Sequence, residues 1–154
     1  MALAKTVSSY AELLQLLSVL QAPHRADPAL QTIDLLTATD LPGPLHVRWE
    51  KHLPLVQLLQ PVVVNVPAAR VRDIEAAVVR INNAAVFSGL GFDHAMRRVY
   101  YRITGVVLLD GLRVDLLQAY LQGAVANATE LRPSLLKVVD GLSGDEILGA
   151  MPVS

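Results

Sequence analysis

Near the start of the chain Leu13, Leu14, Leu16, Leu17 and Leu20 recur at helical spacing. Ser9 stands three residues ahead of Glu12, the spacing of a capping box, in which the hydroxyl accepts a first-turn amide and the carboxylate reaches back. The helix stops before Pro23, because a residue preceding proline is pushed out of the helical region. Residues 22–30, with Pro23, Asp27 and Pro28, read as a loop. Gln31–Thr37 reads as a short strand and Asp40-Leu-Pro-Gly-Pro44 as a turn. His46–His52 alternates: Val47 and Trp49 share one face, and His46, Arg48, Glu50 and His52 share the other. That is a strand buried on one side. Leu55–Val66 follows as a strand apolar on both faces. Pro61 cannot donate to a ladder, so it is expected at an edge or a bulge. A helix over Leu53–Gln60 also fits the spacing, although Val62-Val63-Val64 argues against extending it.

Pro67 suits a first helical position, and Asn65 suits the cap before it. Val71, Ile74, Val78, Ile81 and Ala85 then trace one apolar stripe, with Arg70, Arg72, Asp73, Glu75 and Arg80 on the wet face. Asn82-Asn83 marks its stop. Val86–Phe92 and Arg98–Leu109 read as strands. The intervening Asp93–Arg97 is short enough for a hairpin. Asp110-Gly111 is a turn. Leu112–Ala128 reads as a helix carried by Leu116, Leu117, Tyr120, Leu121 and Val125, and Pro133 restarts a short helix through Val139. Ser143 and Glu146 repeat the capping-box spacing ahead of a terminal helical turn. The order is a helix, two or three strands, a helix, a hairpin and a helix. Strands and helices do not alternate strictly, so the expected class is α+β, an antiparallel sheet flanked by helices.

At 154 residues one domain spanning 1–154 is expected. Hydrophobic residues make up 53% and charged residues 18%, against a usual charged share of about 25%. The apolar surplus lies in a generous core or under a partner. A second copy of the chain is the commonest cover, because most soluble oligomers are homo-oligomers. Val71, Ile74, Val78 and Ile81 are therefore both the core candidates and the candidate dimer helix. The longest apolar runs, Pro61–Val64 and Gly105–Leu109, fall far short of the roughly 20 residues that span a bilayer. Lys5 precedes an apolar stretch as in a leader peptide, but Glu12 and Gln15 interrupt it. The absence of cysteine excludes disulfides, iron–sulfur clusters, thiolate zinc sites and cysteine nucleophiles. It fits a reducing, cytoplasmic setting.

Catalytic and cofactor chemistry finds no motif. The four histidines, His24, His46, His52 and His94, match no zinc spacing. His46 and Glu50 share a strand face but lie about 13 Å apart along it, too far for one ion. Asp93-His94 resembles an acid–base pair, yet nothing nearby supplies a nucleophile or orients the base. Gly89-Leu-Gly91 lacks the strand–glycine–helix context of a phosphate cradle, so it reads as a bulge or a close backbone approach. The remaining chemistry is basic. On a strand Arg98, Tyr100 and Arg102 point one way, beside Arg97, and leave Val99, Tyr101 and Ile103 for the core. Such a face suits a partner surface, or a nucleic-acid track in which a ring stacks a base. The net charge of −1 weighs against direct nucleic-acid binding.

The stretch Ile81-Asn-Asn…Phe87…Gly91-Phe-Asp93…Arg98-Val-Tyr-Tyr-Arg102, with Arg132-Pro133, Leu135 and Gly141, resembles the YbjN-like proteins over roughly residues 44–142, and more loosely over the first helix. That family is similar in fold to the class I type III secretion chaperones. The resemblance implies the order α-β-β-β-α-β-β-α, homodimers and protein binding. It implies a role in stress response or regulation and no catalytic residues. The expectation is a non-catalytic adaptor or chaperone for an unidentified client protein, with no cofactor. The alternative is a nucleic-acid-associated factor acting directly or through a DNA-binding partner.

Overall fold

The capping pattern at Ser9 is realised in the computed structural model, which describes residues 5–37, 39–85 and 89–151. Ser9 Oγ accepts the Glu12 amide at 3.2 Å. The Glu12 carboxylate reaches back to the amide of Ser8 at 2.7 Å, one residue earlier than the motif predicts. Helix α1 (Tyr10–Val19) buries Tyr10, Leu13, Leu16 and Leu17. Leu20 has left the helix and is exposed.

The chain is α+β. A six-stranded antiparallel sheet has the order β2-β3-β4-β5-β7-β6, where β2 is His24–Asp27, β3 Thr32–Leu35, β4 Leu45–Trp49, β5 Leu55–Val63, β6 Leu90–Asp93 and β7 Arg98–Val106. Two two-residue strands, β1 (Thr6–Val7) and β8 (Leu112–Arg113), pair separately. The other helices are α2 (Val71–Ala84), α3 (Val114–Val139) and the four-residue α4 (Ile147–Ala150). Among the described residues no helix is long and apolar enough to cross a membrane.

The chain divides into two compact units. The first contains α1, β1 to β4 and β8. Its rows across the sheet separate cleanly. Ile33, Val47 and Leu58 form one row, and Leu35 and Leu45 another; these join Trp49, Val56 and the apolar face of α1 in the core. Arg25, Asp34, His46 and the row of Asp27, Thr32 and Arg48 lie on the opposite, wet face. This alternation is what the sequence predicts for Val47 and Trp49.

The second unit contains α2, β6 and α4. Ile74, Val78 and Ile81 are 0, 8 and 2% exposed, so the α2 stripe faces the chain's own core together with Ala77. These three offer a second copy almost no surface. The core reading therefore takes Ile74, Val78 and Ile81, Val71 is half-buried, and among the large apolar side chains of this helix Val79 is the exposed one. Arg70, at the end of a 3-10 turn (Ala68–Arg70), donates from Nε and Nη2 to the Val138 carbonyl at 2.9 and 2.7 Å, and from Nη2 to Leu142. It thereby caps the C-terminus of α3 while pairing with Asp73 at 2.9 Å.

Several expectations are corrected. Residues 22–30 are not all loop, because β2 forms there. As the end strand, with Arg25, Ala26 and Asp27 all exposed, it has no apolar alternation to betray it. Four strands, not three, separate α1 and α2. The strand at His46–His52 ends at Trp49, where the chain bends away. Leu53–Gln60 is not helical. β5 is an inner strand, so Pro61 does not mark a sheet edge; the ladder with β4 ends at His46↔Leu59, before it. Asn65 does not cap a helix. It adopts a left-handed turn at φ 56°, which asparagine tolerates better than most residues. Of the Val86–Phe92 strand, Val86–Ser88 lie outside the described residues. Leu112–Arg113 is strand, and α3 then runs unbroken through Pro133. An interior proline costs about 3 kcal/mol. Burial of Ala128, Leu135 and Val138, with Arg132 Nε donating to Val62 and Ser134 Oγ to Ala150, offsets that cost.

Arg70→Ala strips two carbonyls of charge-assisted bonds and is expected to cost about 2 kcal/mol. Arg70→Lys should recover only part of it, because an ammonium lacks the planar fork. Chemical denaturation of the two variants checks this ranking.

Candidate protein-binding surfaces

The hairpin of β6 and β7 holds the basic face predicted from sequence. Val99 and Tyr101 are 0 and 5% exposed, and Arg98, Tyr100 and Arg102 alternate to the other side. Gly91 lies directly opposite Tyr100, and a Cβ there would overlap the Tyr100 ring. At Gly89 a Cβ would meet the Tyr101 ring at 2.8 Å. The two glycines therefore serve close approach of two tyrosines, as the sequence suggests. Burial holds the Tyr101 hydroxyl above its ordinary pKa, and Tyr101 accepts a bond from Asn127 at 3.2 Å.

The four candidate residues are not equally available. Arg98 Nε sits 3.4 Å from the carboxylate of Asp93, its cross-strand partner. Tyr100 is half-buried over Gly91. Arg97 closes the turn at φ 46°, and its carbonyl accepts the Val66 amide. Arg97 and Arg102 are the exposed cations. Asp93 also accepts the Met96 amide, while His94 pairs with Glu75 at 3.0 Å, so Asp93 and His94 do not assemble as an acid–base dyad. Asn82, expected only as a helix stop, remains in α2. Its side chain takes the carbonyl of Leu90 at 2.9 Å and the amides of Leu90 and Gly89 at 3.1 and 3.2 Å.

The histidines are dispersed. His46 bonds Asp34 at 2.6 Å on the wet face, and Glu50 pairs with Arg48 at 3.0 Å. Among the described residues no three His, Asp or Glu side chains gather to hold a metal.

A surface that no sequence pattern announced lies in the first unit. The amide of Val107 donates to the carbonyl of Pro54 at 2.7 Å, fastening the end of β7 to the loop between β4 and β5. Gly111, at φ 93°, supports the tight turn closed by the Leu108–Gly111 bridge. A shallow groove of about 450 Å³ results, lined by Trp49, His52, Leu53, Pro54, Val107, Leu108 and Leu109 together with the polar Ser8, Glu50 and Lys51. Leu53, Leu108 and Leu109 are 57, 64 and 108% exposed. Apolar side chains exposed together, unlike ones scattered singly, are a feature of interaction surfaces.

No family profile, curated protein or solved structure matches this chain.

Gly91→Ala forces the Tyr100 ring from its seat. It is expected to destabilise the protein by about 1–3 kcal/mol, and the double variant Gly91→Ala/Tyr100→Ala should recover part of that loss in denaturant titrations. With Arg98 tied to Asp93, a fluorescence-anisotropy titration of single-stranded and duplex DNA is expected to show no binding at 50 mM salt. Tight binding that weakens steeply with salt would contradict this.

Proposed function

We propose that this chain is a non-catalytic protein-binding adaptor or chaperone of the YbjN-like kind, with a fold of the type III secretion chaperone class. It works as a homodimer in the cytoplasm, in stress response or regulation, and holds a client protein. The observation that carries this reading is the groove lined by exposed leucines. Three large side chains stay in water around one depression, and a partner burying them gains up to about 1.5–3 kcal/mol for each. Among the described residues lining it, the polar groups are Ser8, Glu50, Lys51 and His52, and Glu50 and Lys51 are engaged with Arg48 and the Ala29 carbonyl. A client with an apolar anchor residue fits the groove, with exposed His52 beside its flanking polar groups.

Quantitative capture from native lysate with wild type and with Leu108→Asp/Leu109→Asp tests the reading. Both substitutions sit at exposed positions, so the melting temperature should hold. A protein recovered by wild type and lost from the double variant is expected. Equal recovery by both, or recovery by neither, would contradict the assignment of client binding to this groove.

A further inference from the structure

We propose that β2 pairs with β2 of a second copy, antiparallel about a two-fold axis at Ala26. This rests on the homodimer part of the reading above and assigns it a surface separate from the groove. β2 is the last strand of the sheet, and Arg25, Ala26 and Asp27 are exposed. The direction of its backbone groups follows from the register. Leu36 donates to the carbonyl of Pro23 at 3.0 Å, in line with His24↔Leu35. Alternate residues of an antiparallel strand bond the same neighbour, so Arg25 and Asp27 turn their amides and carbonyls to β3. His24 and Ala26 turn theirs to the open edge. The bond from Trp49 to the Gln31 carbonyl fixes the same alternation on the far side of β3.

Most edge strands discourage self-pairing with charge. Here the charges are opposite in sign and two residues apart, which makes the edge self-complementary in one register. With the axis at Ala26, the two Ala26 residues exchange a pair of hydrogen bonds. Arg25 of each copy then stands directly opposite Asp27 of the other, in the closer, non-hydrogen-bonded position. An axis one residue earlier would put Arg25 against Arg25, and an axis at His24 would forfeit the charge pair. At the Ala26 axis His24 faces Pro28, which accepts but cannot donate, so the two-way exchange of bonds is confined to Ala26. Asp27 Oδ1 accepts the Ala29 and Leu30 amides, leaving Oδ2 for the incoming guanidinium. A depression of about 380 Å³ bordered by Arg25, Asp27 and Asp34 opens on the same face, with room for that side chain. Exposed Leu36, bonded to Pro23, adjoins the start of the edge and supplies apolar area that so short a ladder lacks.

The chain has no cysteine, so single-cysteine variants of the full protein report cleanly. Two opposed residues of a hydrogen-bonded pair lie about 5.5 Å apart at Cα, within disulfide range. Ala26→Cys is expected to give a disulfide-linked dimer under mild oxidation, whereas Arg72→Cys, an exposed control, is not. In sedimentation velocity Arg25→Asp should weaken self-association roughly tenfold or more, and Arg25→Asp/Asp27→Arg should restore it. Wild type that stays monomeric at every concentration overturns the proposal. So does a dimer that Ala26→Cys fails to trap and Arg25→Asp leaves intact; that result places self-association on another surface. Neither outcome touches client capture through the groove, which the leucine variants read separately.

Discussion

A sheet cannot end without leaving a row of backbone amides and carbonyls, and an unpaired polar group is costly unless water or a partner meets it. This chain treats its two sheet ends differently. At β6 the bond from Arg102 to the Gly89 carbonyl directs the backbone groups of the odd-numbered residues to β7, so those of Leu90 and Phe92 face outward. The side chain of Asn82 then takes both the amide and the carbonyl of Leu90. One helix residue thus does the work of an added strand at that point. At β2 the outward groups of His24 and Ala26 belong to a strand whose middle residues are all exposed. The closed end and the open end differ in what another chain finds there, and the proposed self-association follows from that difference.

The apolar surplus of the composition divides between two destinations. Much of it fills two ordinary cores, one under α1 and the adjoining sheet and one around α2. The remainder includes Leu53, Leu108 and Leu109, held at loop tips around a shallow groove. The proposed client binding rests on this second destination. It does not rest on the α2 stripe, whose buried side chains are already occupied.

The sequence was most legible where one element satisfies one pattern. Ser9, Glu12 and the leucine spacing define α1. Ile74, Val78 and Ile81 define the buried face of α2, and Val47 with Trp49 define that of β4. In the β6–β7 hairpin the tyrosine alternation and both glycines could be read directly. Legibility failed where a residue's role depends on distant neighbours. β2 has no apolar alternation because it is exposed at an edge. β1 and β8 are too short for any period. Pro133 reads as a break until the bonds of Arg132 and Ser134 are known. The groove joins residues more than fifty positions apart where β7 lies beside β5 and Val107 bonds Pro54, and no local pattern encodes that. Asn82 looked like a helix stop because its partners lie past the end of the helix.

Amide hydrogen exchange followed by NMR across protein concentration tests the unequal sheet ends most directly. The Leu90 amide, held by Asn82, should be protected at every concentration. The Ala26 amide should exchange fast in dilute protein and slow as concentration rises and β2 edges pair. An Ala26 amide already protected when dilute, or one that never slows, would contradict the account, as would a Leu90 amide that exchanges as fast as Ala26.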